Sequence, residues 1–130
     1  MINMDGYHAN IEKLTLTNSN FRKVLYTGKY AQLVVMSLAP GEEIGLEVHE
    51  NVDQFFRFEQ GKGKVIINGE EFGVQEDDVA IVPAGSKHNI INTSQSESLK
   101  LYTIYSPPNH PDGTIHKTKE EAVTAEKEHN

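Results

Sequence analysis

Over most of the chain the apolar residues do not return at the three-to-four spacing of a helix. They gather in short runs bounded by Gly, Pro, Asn and Asp, the pattern of an all-β sandwich or barrel. The runs are Arg22–Tyr26, Gln32–Leu38, Gly45–His49, Gln54–Phe58, Lys64–Ile67, Glu71–Val74, Asp78–Val82, His88–Asn92 and Leu99–Tyr105. Short strands at such even spacing predict a closed or jelly-roll sheet. Asn68-Gly69 between two strand-like runs predicts a two-residue type I′ hairpin. Pro83-Ala84-Gly85 ends the strand before it, because Pro cannot donate to a ladder and Gly permits positive φ. In Gln32–Leu38, Val34, Met36 and Leu38 alternate with Leu33 and Val35, so both faces are apolar. A barrel wall of that kind needs an outer cover. A homodimer is the expected cover, with the N-terminal segment or the C-terminal helix as alternatives.

The pattern changes after Tyr105. Ser106 to Gly113 is too rich in Pro and Gly for regular structure and is expected to pack as an extended arm across the barrel. Thr118-Lys119-Glu120-Glu121 fits a capping box and predicts a short polar helix through about Lys127. There is no internal repeat. One domain over 1–130 is expected, with a barrel core at about 22–106 and the arm and helix at 107–130.

Composition narrows the function classes. Twelve Lys+Arg against nineteen Asp+Glu leave a net charge of −7, which argues against nucleic acid or an anionic membrane as partner. The absence of Cys excludes disulfides, thiolate nucleophiles and iron–sulfur clusters. No apolar run approaches the roughly 18 residues that a spanning helix needs. Met1 to Asp5 carries neither a basic nor an apolar leader, so a cytoplasmic protein is expected.

Candidate chemistry centres on His49. Glu47 and His49 are two apart, so on a strand they share a face. If the strand beginning at Gln54 pairs back across the intervening turn, Gln54 lies opposite His49, and His88 opens another strand that could supply a fourth donor. Two imidazoles, a carboxylate and an amide suit Fe(II), Mn(II), Ni(II), Co(II) or Zn(II). A metal would also justify burying Glu47, which unpaired would cost several kcal/mol or take up a proton.

These residues carry a resemblance. Gly41-x5-Glu47-x-His49-x4-Gln54-x6-Gly61 resembles the first cupin motif, and Asp77-x5-Pro83-x-Gly85-x2-His88-x3-Asn92 the second. Together they span 41–92, with flanking strands extending the likeness to about 22–106. The chain is similar to small single-domain bacterial cupins, including those labelled mannose-6-phosphate isomerase-like. The resemblance implies a cupin-type double-stranded β-helix, with one divalent metal held by Glu47, His49, Gln54 and His88. Glu47 stands where His is usual and Gln54 where Glu is usual. The effective set is then either all four, or a 2-His-1-carboxylate triad of the kind used in non-haem Fe(II) oxygen chemistry, with Gln54 as an amide that orients His49.

Around that centre, Phe56 and Phe58 share the parity of Gln54 and, with Ile66 and Ile90, are expected to line a pocket for a small, partly apolar molecule. Arg57 and Lys87 are the basic residues expected near it, able to attract a carboxylate or phosphate. Glu47 is the candidate catalytic proton carrier. His110 and His116 belong either at the pocket mouth or on a surface loop. Three functions stay open: a metal-dependent enzyme (dioxygenase-like or isomerase-like) on a small oxygenated metabolite, a sugar- or metabolite-binding module, and a metal-free structural or regulatory barrel.

Overall fold

The computed structural model describes residues 5–129, with side chains through Glu126. The stretch Met1 to Met4 and the charges at Lys127 and Glu128 therefore lie outside it. Among the described residues, ten strands and two helices follow in the order α1 (Ile11–Thr17), β1 (Arg22–Thr27), β2 (Gln32–Leu38), β3 (Glu47–Val48), β4 (Asp53–Gln60), β5 (Lys62–Ile67), β6 (Glu70–Gln75), β7 (Val79–Val82), β8 (Lys87–Asn92), β9 (Leu99–Ser106), β10 (Ile115–His116) and α2 (Lys119–His129). They build two antiparallel sheets, β10-β1-β2-β9-β4-β7 and β3-β8-β5-β6. The inner faces meet over one core containing Met36, Leu38, Phe56, Phe58, Val65 and Leu101. This is the all-β jelly-roll barrel that the short apolar runs predict.

Local chemistry accounts for the turns. Asn68 and Gly69 have φ of 49° and 85°, the double positive φ of a type I′ turn, and Ile67 pairs with Glu70 directly across them. The strand expected over Gly45–His49 shortens to Glu47–Val48. Gly45 sits at φ 110° and its N–H donates to Asn89 Oδ1 at 2.8 Å, so the backbone leaves the ladder before Glu47.

The two-sided apolar strand β2 is covered within the chain. Val34 and Met36 both point inward and are fully buried, while outward-facing Val35 is only 1% exposed. Helix α1, which the apolar periodicity does not reveal, packs over β2, β9 and β4. Asn10 caps it by accepting from the Lys13 N–H at 3.1 Å. The observation that suggested a dimer therefore has a cover inside one protomer.

The arm after β9 is pinned. The Gln32 amide is fully buried; its oxygen accepts from the N–H groups of Asn109 and His110, and its nitrogen donates to the His110 carbonyl. Beyond this clamp the chain adds β10 to the edge of β1, pairing His116 with Arg22 and Ile115 with Lys23. At α2, Thr118 Oγ1 accepts from the Glu121 N–H, but the Glu121 carboxylate reaches back to the Lys117 N–H, one residue before the cap.

Candidate metal centre

Three side chains converge at one end of the barrel. Glu47 is on β3 and faces His88 of β8 in register, and His49 follows two residues after Glu47. One ligand atom from each of Glu47, His49 and His88 lies within 4.8 Å of the other two. Glu47 Oε2 is 3.6 Å from His49 Nε2, and the two imidazole rings are 5.3 Å apart between centroids. His88 is 3% exposed. Its Nδ1 lies 3.1 Å from the Ser86 carbonyl, an acceptor only, so this contact places the proton on Nδ1 and leaves the Nε2 lone pair for a ligand.

The electrostatics are those of a site short of positive charge at Glu47. Burial pushes the Glu47 carboxyl up to about 7, against the opposing pull of Arg22. Burial, then the charges of His88 and Arg22, hold His49 below its ordinary value. Both groups thus lean towards neutrality and their 3.6 Å contact is not an ion pair. A divalent cation would reverse both tendencies, stabilising the carboxylate and using neutral imidazole.

Gln54 reaches the interior by another route. The expected pairing of its strand with that of His49 does not occur: β3 pairs with β8, whereas Gln54 on β4 lies between Tyr105 of β9 and Val82 of β7. The turn at Glu50 to Val52 carries the chain from one sheet to the other. Gln54 Nε2 donates to Thr103 Oγ1 at 3.0 Å, and its buried Oε1 has no hydrogen-bond partner. The amide therefore presents an unused acceptor inside the barrel.

Of the expected pocket residues, Phe56, Phe58 and Ile90 are fully buried on the inner face, and Phe56 lies 6.4 Å from the His88 ring. Arg57 does not line the interior. Strand alternation turns it outward, where it binds Asp77 at 2.9 Å and Glu59 at 3.1 Å. Lys87 is exposed. The basic group at the site is Arg22, which is 2% exposed on the inner face of β1. Its charge acts on Glu47, His49, His110 and His116. Residue parity alone could not select it, since Lys23 and Leu25 offer an equally good opposite face.

The arm brings two more groups to the same end. His110 Nε2 lies 3.2 Å from the Tyr105 hydroxyl, and Tyr105 in turn packs edge-on to His49. Burial, then the charges of Arg22, His116 and His49, lower His110 to about 3. Burial raises Tyr105 to about 12, so the phenol donates and the imidazole accepts.

Comparison with known proteins settles the family. The Cupin_2 family, described as a cupin domain, matches residues 34–105. The chain belongs to the cupin family. This cupin is 51% identical over 124 residues to YrkC, an uncharacterized protein of Bacillus subtilis, covering 91% of the chain and 66% of that relative. It is 42% identical to a crystal structure of BH2720 from Bacillus halodurans, with a TM-score of 0.90 over 93% of this chain and 96% of that one. A Thermotoga maritima protein described as a predicted oxalate decarboxylase is 26% identical, with a TM-score of 0.58 over 62% of this cupin and 69% of its own chain. The cupin spans about two thirds of the length of the Bacillus subtilis relative. Its first motif also explains a backbone feature: a Cβ at Gly61, which has φ 95°, would lie 2.7 Å from the Ser98 carbonyl oxygen.

Proposed function

We propose that this cupin is a divalent-metal-dependent enzyme acting on a small oxygenated metabolite. The observation that carries the reading is the convergence of two imidazoles and one half-buried carboxylate, Glu47, His49 and His88, within 4.8 Å. The rest of the site fits a cation: among the described residues, the half-buried Glu47 carboxylate has no Lys or Arg within 4.0 Å, only the His49 imidazole at 3.6 Å, and the Gln54 oxygen is an orphaned acceptor. The donor set suits iron, manganese, nickel, cobalt or zinc. Bound there, such an ion supplies Lewis acidity and a template for the substrate's oxygen atoms.

The chain's own groups have separable roles in this reading. Glu47, His49 and His88 hold the ion, and the Ser86 carbonyl fixes the His88 ring. The Gln54 amide either completes the set or orients what binds. With Glu47 holding the ion as a carboxylate, the group left to carry a proton is His110, which accepts from Tyr105. Phe56 and Phe58 wall the floor and exclude water. The test is elemental analysis of untagged protein, followed by oxygen-uptake and isomerisation screens on metal-loaded material. Stoichiometric metal with turnover is expected. A retained ligand without turnover favours a binding module, and a metal-free active form a structural barrel; either result defeats the enzyme reading.

A further inference from the structure

Arg22 is a whole guanidinium enclosed in the barrel, 2% exposed. Buried arginines are normally paired, because an uncompensated charge in a low-dielectric interior costs several kcal/mol. Among the described residues, no carboxylate lies within 4.0 Å of it: Glu47 meets His49, Glu59 and Asp77 meet Arg57, and Glu71 meets Lys64. Its neighbours are neutral. Nη1 is 3.4 Å from His116 Nδ1, the cation lies 5.3 Å from the Phe21 ring centroid, and the Tyr105 phenol sits beside it. Its Nε–H is buried and donates to nothing.

We infer that Arg22 is an anchoring site for the carboxylate of a small 2-oxo or 2-hydroxy acid bound inside the barrel. A guanidinium fork with a free Nε–H matches the two coplanar oxygens of a carboxylate. The chain as a whole carries −7, so the interior cation does not serve surface attraction and acts locally on what enters. Nearby Glu47 is already engaged with His49 and, in the proposed function, with the ion. With that ion bound, Glu47 and the Glu126 carboxylate whose charge reaches it face a divalent cation and a guanidinium, leaving the site positive and selective for an anion. The 2-oxygen lets the same molecule meet both the ion and Arg22. Naming the substrate class in this way rests on the metal-centre reading; anion binding by Arg22 does not.

Calorimetric titration with glycolate, lactate and pyruvate, and with lactamide as the neutral isostere, tests the inference. Metal-free protein dialysed clear of chelator and Mn(II)-loaded protein are compared. At least one acid is expected to bind the metal-free form at about 1 mM or tighter, more tightly with Mn(II), while lactamide does not bind. Arg22→Met is expected to lose tenfold or more in affinity in both forms with an unchanged or higher thermal midpoint, because a buried charge is replaced by an apolar group. Should that variant fail to fold, Arg22→Lys keeps the charge without the fork and is expected to bind severalfold more weakly. Failure of all three acids, equal binding of lactamide, tighter binding of inorganic phosphate, or affinity unchanged by both substitutions would each overturn it. Acid binding by a protein that takes up no metal would instead leave the Arg22 site standing and remove the metal centre.

Discussion

The two ends of the barrel interior are built on opposite terms. One end is a closed apolar layer in which Met36, Leu38, Phe58, Val65, Leu99 and Leu101 are all fully buried. The other holds Glu47, His49, His88, Tyr105 and His110, within the field of an Arg22 guanidinium whose backbone is level with Met36; among the described residues that guanidinium lacks a counterion and two polar atoms lack partners. The first arrangement gains free energy with every side chain it buries, about 1.5–3 kcal/mol for a fully enclosed large residue. The second spends part of that gain on desolvating charged groups. Stability is therefore concentrated at the end with no chemistry, and the reactive groups are held in place by a scaffold they do not strengthen.

The sharpest way to break this division is to attack the apolar end. Phe58→Ala, at a fully buried position stacked 6.4 Å from Phe56, should cost about 3–5 kcal/mol of unfolding free energy by urea denaturation. At the polar end, His49→Ala and His88→Ala should leave the denaturation midpoint far closer to wild type. Each should lower metal affinity at least tenfold by competition titration, since even outer-shell changes cost that much. Gln54→Ala should lower it less, because a neutral amide is the weaker donor. Loss of metal by Gln54→Ala as complete as by His49→Ala would make the amide an essential ligand.

How much of each end can be read from sequence differs for physical reasons. The barrel wall is legible because period-two alternation and turn residues such as Asn68-Gly69 are local, and the spacing of Glu47, His49 and His88 singles out the three groups that the fold brings together. The partner of each strand is not local. The parity that aligns Gln54 with His49 is blind to the chain changing sheets between them. Arg22 reads as the edge of a strand because its partner His116 is 94 residues away. Helix α1 is hidden for the opposite reason: Leu14-Thr15-Leu16-Thr17 alternates like a strand, and only the Asn10 cap signals a helix. The arm is legible as a fixed segment from its prolines, but nothing in it announces that Gln32 would clamp it.

Proton linkage sharpens the contrast within the polar end. His110 is lowered to about 3, whereas the unfolded chain titrates near the ordinary 6.5. The unfolded state therefore binds the extra proton, and metal-free protein should lose stability as the pH falls from about 6.5 towards 3. His49 and His116 are lowered as well and act in the same direction. Glu47, raised to about 7, acts oppositely: its contribution falls as the pH rises from about 4.5 to 7. Thermal midpoints of His110→Gln against pH should show a shallower acid limb than wild type, with the decline towards pH 7 retained. An acid limb unchanged by the substitution would assign that slope to the other two histidines.

The smallest expected effect on binding separates the interior from the wall around it. Arg57 sits on β4 between two residues of the apolar layer, Phe56 and Phe58, yet strand alternation sends it outward to Asp77 and Glu59. Glu59 is itself buried, at the point where the β4–β9 register slips between Phe58 and Gln60. The Arg57–Asp77 contact is exposed, screened by water and salt, and contributes little, whereas Arg57 also neutralises the buried Glu59 carboxylate. Arg57→Ala should therefore leave metal content and small-acid binding at wild-type values, in contrast to Arg22→Met, while lowering the thermal midpoint through the unpaired Glu59. A loss of acid binding in Arg57→Ala that matches the loss in Arg22→Met would return the anchoring cation to the outer wall and erase the distinction between the two arginines.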